Sequence, residues 1–262
     1  MKYNSDINPL GSIPDYHLIY RALPLLYGRN NELEKLLVTD NEFNFRTERS
    51  RKRFLFVLNS AFITKNESIN KLAATLIAFL ENDEQAKALI IFWLFSINNR
   101  LFYELNRDLF LKYYYQGRAE LPISDVMAYL KNLISKNKEL KEKWSEETIG
   151  TIASKYLTIL KKLKLLEGRQ KKTFCLVNIS NEMLAVFVHF YGLLENRKSN
   201  ILEDEFRAFS FVSADSFAER LKTLGQKDWI KMSYTGTSLE VEGTFDINNI
   251  AHGIFGRTQS EI

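Results

Sequence analysis

Two clusters of basic side chains carry most of the chemistry this sequence could perform. The first lies in Lys143–Val177, KWSEETIGTIASKYLTILKKLKLLEGRQKKTFCLV. From Lys155 to Lys172 it holds seven bases against one acid, Glu167, a net charge of +6. Thr148, Thr151, Lys155, Thr158 and Lys162 recur at steps of three and four, so on a helix they form one stripe of hydroxyl and ammonium groups. Such a stripe suits phosphate oxygens and base edges. Arg169, Lys171 and Lys172 follow Gly168, where the chain is expected to turn. The second cluster runs from Arg46 to Arg53 and sets Arg46, Arg49, Arg51, Lys52 and Arg53 against Glu48 alone. It opens a predicted helix, where the dipole disfavours cations, so an external anion is a natural partner. Arg46, Arg49 and Arg53 would share a face. The plainer reading of both clusters is a solvated surface with an arginine or two paired to nearby acids.

Reactive chemistry is harder to find. His17, His189 and His252 are scattered, and no paired-histidine zinc motif, phosphate-binding glycine loop or nucleophile elbow is present. The acids Glu203-Asp204-Glu205 would point in different directions on a helix. The single cysteine, Cys175, excludes an internal disulfide and a cysteine-rich zinc site. No catalytic residue, metal site or cofactor is expected, and the protein is read as a non-enzyme.

The elements that position the basic residues are mostly helices. Ser145 stands before Glu146 and Glu147, a favoured cap followed by acids in the first turn. Ile149, Ile152, Ala153, Tyr156, Leu157, Leu160 and Leu163 then repeat at the spacing of one buried face. Leu165-Leu166 and Thr173–Val177 are β-prone and flank the basic turn. A capped helix running into a basic-tipped hairpin is the order of a winged helix-turn-helix. Ser124 is expected to cap its first helix, Asp125–Ile134, and Lys138–Lys143 to form its second. Upstream, helices are expected over Pro14–Tyr27, Asn31–Val38, Thr47–Ile63, Ile69–Leu80 (capped by Ser68), Glu84–Ile97 (capped by Asp83) and Asn99–Gln116. Downstream, helices at Glu182–Leu194, Asn200–Phe209 and Ser213–Leu224 precede two β-prone runs separated by Thr235-Gly236, which suggests a second winged helix. Its third helix carries Asp215, Glu219, Arg220 and Lys222, which sum to zero and suit a protein contact better than a polyanion. The expected fold is therefore mainly α: a helical bundle over residues 1–118, a winged unit over 119–180 and a second winged-helix-like module over 181–262.

The chain has 262 residues, and its 45% apolar and 26% charged content is ordinary for a folded protein. Nineteen Phe and twelve Tyr beside only eleven Gly and four Pro favour helices around an aromatic core. The longest apolar run, Ala88–Phe95, falls far short of the roughly 20 residues that span a bilayer, and MKYNSDINPL lacks the apolar core of a signal peptide. A cytoplasmic location without membrane contact is expected. Residues 1–180 carry +8, whereas Asn200–Ile262 holds ten acids and six bases. The asymmetry predicts one polyanion-facing part and one part with another task.

The sequence also resembles the BrxA family of BREX phage-defence systems. The resemblance rests on Asp40-Asn41-Glu42-Phe43-Asn44-Phe45-Arg46-Thr47 with Ser50 and Arg53, on Phe92-Trp93, on the Asn98–Phe110 segment with Arg100, Phe102 and Glu104, on Lys143-Trp144-Ser145, and on Leu160–Leu166. It covers the chain from Leu10 to Asn178, and residues 181–262 inherit nothing from it. It implies a small, mainly helical, non-enzymatic protein that works beside a methyltransferase, an ATPase and other defence components and binds double-stranded DNA. By that resemblance Arg46, Arg49, Arg51 and Arg53 become DNA-contact residues. The combined expectation is a sequence-tolerant DNA-binding component. Lys155, Lys162 and the hairpin tip would hold phosphates, Thr148 and Thr151 would lie nearest base edges, and other BREX proteins would be partners. The rivals are a scaffold that binds those proteins with little DNA contact, a small-ligand-sensing regulator, and more remotely a hydrolase.

Overall fold

A computed structural model describes residues 3–28, 30–235 and 238–256. The fold is mainly α, with two small antiparallel hairpins. The helices up to the first hairpin are α1 (Asn8–Gly11), α2 (His17–Gly28), α3 (Asn30–Glu34), α4 (Glu48–Phe62), α5 (Glu67–Phe79), α6 (Glu84–Asn98), α7 (Arg100–Leu105), α8 (Leu111–Tyr115), α9 (Ile123–Lys136), α10 (Lys138–Lys143) and α11 (Glu146–Lys162). Strands β1 (Leu166–Glu167) and β2 (Thr173–Phe174) follow, then α12 (Asn181–Gly192), α13 (Ala214–Gln226), β3 (Ile230–Tyr234), β4 (Leu239–Gly243) and α14 (Ile250–Phe255). Two π-helical turns, Lys35–Thr39 and Asn106–Phe110, extend α3 and join α7 to α8.

The chain condenses into two compact units, one from residues 1–63 and 87–176, the other from residues 64–86 and 177–262. The boundary expected at residue 118 thus falls inside the first unit. The one expected at residue 180 lies close to the passage at 176/177. Residues 64–86 join the C-terminal part rather than the helical bundle.

Side-chain caps set many of the helix starts. Thr47 accepts from Ser50 N–H, Asn99 from Phe102 N–H, Ser145 from Thr148 N–H and Ser180 from Met183 N–H. Asp83 accepts from Ala86 N–H at 2.9 Å. Two expected caps move. Asn66 rather than Ser68 caps α5, because its amide oxygen reaches the N–H groups of both Ser68 and Ile69. Pro122 rather than Ser124 precedes α9, and the Ser124 hydroxyl turns to Asp125 instead. The helix expected over Asn200–Phe209 is two 3₁₀ turns, Ile201–Glu203 and Glu205–Ser210. Asp204 separates them: its carboxylate accepts from the N–H groups of Phe206 and Lys198 and from the Tyr191 hydroxyl. Gly236, half of the predicted turn between β3 and β4, lies outside the described residues.

In the first unit the Ala88–Phe95 stretch of α6 is apolar on every side because it is buried on every side; Phe92, Trp93 and Phe95 are closed to solvent. Phe95 meets Phe102 at 4.6 Å between centroids, and Phe102 meets Tyr156 of α11 edge-on at 5.8 Å. The π turn brings Asn106 to face the same helix, and Asn106 Oδ1 accepts from the Tyr156 hydroxyl at 2.9 Å in a fully buried contact. The buried Tyr156 hydroxyl thereby gains the partner it needs.

In the second unit α12 is buried along Met183–Tyr191. His189 lies in this core, its Nδ1 2.8 Å from the Ala185 carbonyl, its Nε2 accepting from Phe245 N–H at 3.3 Å, and its ring stacked on Phe245. The two bonds together require the neutral imidazole, with the proton on Nδ1. Burial holds its pKa below the ordinary histidine value, against the smaller opposing pull of the Ala185 carbonyl. Gly243 leaves room for the ring, since a Cβ there would stand 2.2 Å from His189 Cδ2.

Two outcomes follow for stability. Because the folded pKa of His189 is depressed, its contribution is complete above the ordinary histidine range and is lost as pH falls through that range. Denaturant midpoints taken from pH 8 down to about 5 should decline, and His189→Gln should flatten that part of the slope. Gly243→Ala should destabilise by about 1–3 kcal/mol through overpacking, read as a lower denaturant midpoint with unchanged far-UV circular dichroism.

Candidate nucleic-acid interface

The basic hairpin is built on the end of α11. Leu166 pairs with Phe174 and Glu167 with Thr173. A third segment completes it: Leu121 N–H donates to the Lys172 carbonyl at 2.8 Å, Phe174 N–H donates to the Ala119 carbonyl at 3.1 Å, and Glu120 bridges to Thr173. Gly168 has φ +87°, and a Cβ there would lie 2.2 Å from the Lys171 carbonyl oxygen, so the tight turn depends on glycine. The Lys172 ammonium donates to the carbonyls of Gly168 and Arg169 and so fastens the loop. Burial and the neighbouring Lys161 ammonium both hold its pKa below the ordinary lysine value. Arg169 and Lys171 are left exposed at the tip. Beneath them Phe174 packs on Phe110 and Tyr114.

On α11 the expected stripe divides. Thr151 is exposed, and Thr148 is half-buried with its hydroxyl engaged by Ser145 Oγ at 3.0 Å. Thr158 donates to the Ser154 carbonyl. Lys155 and Lys162 do not stand free. The backbone of α1 crosses Lys155 so closely that a Cβ on Gly11 would sit 3.0 Å from its Cβ. The Lys162 ammonium donates to the carbonyls of Gly11 and Ile13 and lies over the Tyr16 ring. Burial, reinforced by Lys155, keeps the Lys162 pKa below its ordinary value. Lys162, expected at phosphate, is half-buried with two of its three N–H donors engaged by the N-terminal segment. The solvent-facing line of α11 runs instead through Thr151, Ser154 and Lys161.

The cluster at α4 also divides. Arg46, Arg49 and Arg53 are exposed with no acidic partner among the described residues. Lys52 pairs with Glu48 at 2.6 Å on the open surface, an interaction of little energetic weight. Arg51 departs from expectation. It is half-buried, donates to the Val38 carbonyl at the end of the first π turn, and keeps its Nε out of solvent.

Three residues that sequence reasoning passed over enter the surface. Lys161 neighbours Lys172. Arg118 lies beside the third hairpin segment with its guanidinium 3.7 Å from the Tyr113 ring centroid and 3.6 Å from Asp125 Oδ2. Phe56 extends the face of Arg49 and Arg53 and is 62% exposed. Lys161 was legible as part of the charge run, whereas Arg118 needed the strand pairing to connect it to the hairpin. Counted by compact unit, the first holds 26 Lys and Arg against 16 Asp and Glu, net +10, and the second 10 against 16, net −6.

Among the described residues no group of three or more His, Cys, Asp or Glu side chains is placed to hold a metal. None of their helices is long and apolar enough to cross a membrane.

Fold and charge together define a mainly helical protein with a strongly basic unit that ends in a hairpin and an acidic unit beside it in the sequence. The BrxA family model matches residues 20–188, and the chain belongs to that family, a component of BREX systems. No curated protein and no solved structure gives a match. The family match runs eight residues into α12 and leaves the rest of the second unit's C-terminal part outside it.

The two neighbouring lysines of α11 should behave oppositely when truncated. Lys162→Ala abandons two backbone carbonyls and is expected to destabilise by about 1–3 kcal/mol. Lys161→Ala should stay within about 0.5 kcal/mol of the parent. Denaturant unfolding of both variants checks this.

Proposed function

We propose that this chain is a non-enzymatic DNA-binding component of its BREX system and grips duplex DNA through the first unit. The observation that carries this is the set of exposed cations around one hairpin. Arg169 and Lys171 stand at its tip, Lys161 beside its base and Arg118 next to its third segment, in a unit of net charge +10. Clustered Lys and Arg on one element is the electrostatic footprint of a polyanion site. The helix–helix–helix–hairpin order of α9, α10, α11, β1 and β2 supports use of the hairpin as a wing against the phosphate backbone. Thr151 presents an exposed hydroxyl to a base edge, and Arg46, Arg49 and Arg53 extend the phosphate footprint. Most contacts go to phosphate, so binding is sequence-tolerant.

A second reading, a scaffold for other BREX proteins with little DNA contact, draws on the second unit. It is acidic, and Arg220, the arginine of its third helix, donates to Asn181 Oδ1 and the Ile179 carbonyl rather than standing free. We assign protein contacts to that unit and DNA to the first.

Fluorescence anisotropy with a labelled random-sequence duplex, titrated at several salt concentrations, tests the reading. Seven engaged cations would give a log–log salt slope of about −6. The variant Lys161→Glu/Arg169→Glu/Lys171→Glu should lose most of the affinity and reduce the slope by about 3. Absence of binding by the parent at low salt would overturn DNA binding in favour of the scaffold.

A further inference from the structure

We infer that the exposed face of α4 receives an unpaired nucleotide, with the base stacked on Phe56 and flanking phosphates held by Arg49 and Arg53. The inference rests on the DNA-binding reading above and names the form of DNA that this part of the footprint takes. Arg49, Arg53, Phe56 and Ser60 follow at steps of four, three and four and are all exposed, while Phe54, Val57, Leu58, Ala61 and Phe62 bury the opposite side. Neither arginine has an acidic partner among the described residues. The helical rise places Phe56 roughly 10 Å along the axis from Arg49, the reach of a few nucleotides of backbone. A large ring left 62% exposed beside two unneutralised guanidinium groups is complementary to a ligand that is both anionic and flat. Nucleic acid meets both demands, and its form decides how the ring is used. A paired, stacked duplex shows a phenyl ring little beyond thymine methyl groups in the major groove. An unpaired base shows its whole π-face, and alternating cations and aromatics are the usual platform for such strands.

The test uses three fluorescein-labelled DNAs of one sequence: intact duplex, duplex with a short central bubble, and single strand. A 2-aminopurine in the bubble reports stacking. The full chain binds the bubble and the single strand more tightly than the duplex. Phe56→Ala weakens both by about 5- to 100-fold with little change on the duplex. Phe56→Trp keeps both affinities and the 2-aminopurine quenching, which Phe56→Ala loses. Equal affinity for bubble and duplex overturns the inference. So does a Phe56→Ala variant that binds the bubble as the parent does, which would give this face to a protein partner, or one that loses duplex and bubble binding alike. The hairpin variant Lys161→Glu/Arg169→Glu/Lys171→Glu, run in parallel on the duplex, reads the underlying function separately. If it binds duplex normally, the hairpin assignment fails while the ratio of bubble to duplex still judges Phe56.

Discussion

The contact on which the placement of the basic surface depends is that between the N-terminal segment and the lysines of α11. An ammonium group withdrawn from water needs acceptors, and Lys162 finds them in the carbonyls of Gly11 and Ile13, with the Tyr16 ring alongside. The approach is close because Gly11 has no side chain to obstruct Lys155. Ile7, Leu10, Ile13 and Tyr16 are themselves buried, so this is a core contact and not a loose strap. It turns one long side of α11 into interior and leaves Thr151, Ser154 and Lys161 as the outer line. With that side closed, the exposed cations gathered at the hairpin are Lys161, Arg169, Lys171 and the adjacent Arg118, and the start of α4 presents Arg46, Arg49 and Arg53.

Charge is distributed to match. The basic unit and the acidic unit follow the compact folding units more sharply than any linear cut of the chain, +10 and −6 where a division at residue 180 yields +8 and −4. The difference comes from residues 64–86, which carry two bases and four acids and fold with the acidic C-terminal part. Such partition keeps attraction for polyanions on one body and lets the other take partners that a uniformly basic surface would repel.

Much of the fold was legible because its signals are local. Ser145 and Asp83 cap as their chemistry demands, and the buried face of α11 follows its apolar spacing. The hairpin was announced by Gly168 between β-prone runs. What stayed hidden was tertiary. Nothing in the spacing of Lys155 and Lys162 distinguishes a solvated stripe from one covered by a segment almost 150 residues earlier, 149 in the case of Ile13 and Lys162. Arg51 reads like its neighbours until the Val38 carbonyl is seen beneath it. Arg118 gains its place only through the pairing of Ala119–Leu121 with the hairpin. The helix expected at Asn200–Phe209 failed for a local reason that composition alone did not weigh: a carboxylate that collects three hydrogen bonds, two of them from backbone amides, stops a helix more firmly than the apolar residues around it extend one.

The interleaving of the two units bears on how the chain is made. Residues 64–86 leave the ribosome before the part they fold with: α5 buries Leu72, Ala73, Leu76 and Ile77 in a unit whose other part, 177–262, is synthesised later. For some ninety intervening residues, 87–176, that apolar face has no native cover, while α6 runs out of residues 84–86 directly into the first unit. Elongation at about 5–20 residues per second makes that interval several seconds or more. Folding of the acidic unit must therefore join segments far apart in the sequence, which raises its contact order. Cutting the chain after the hairpin would not release a tidy N-terminal domain, because it would strand α5 permanently in that unfinished state.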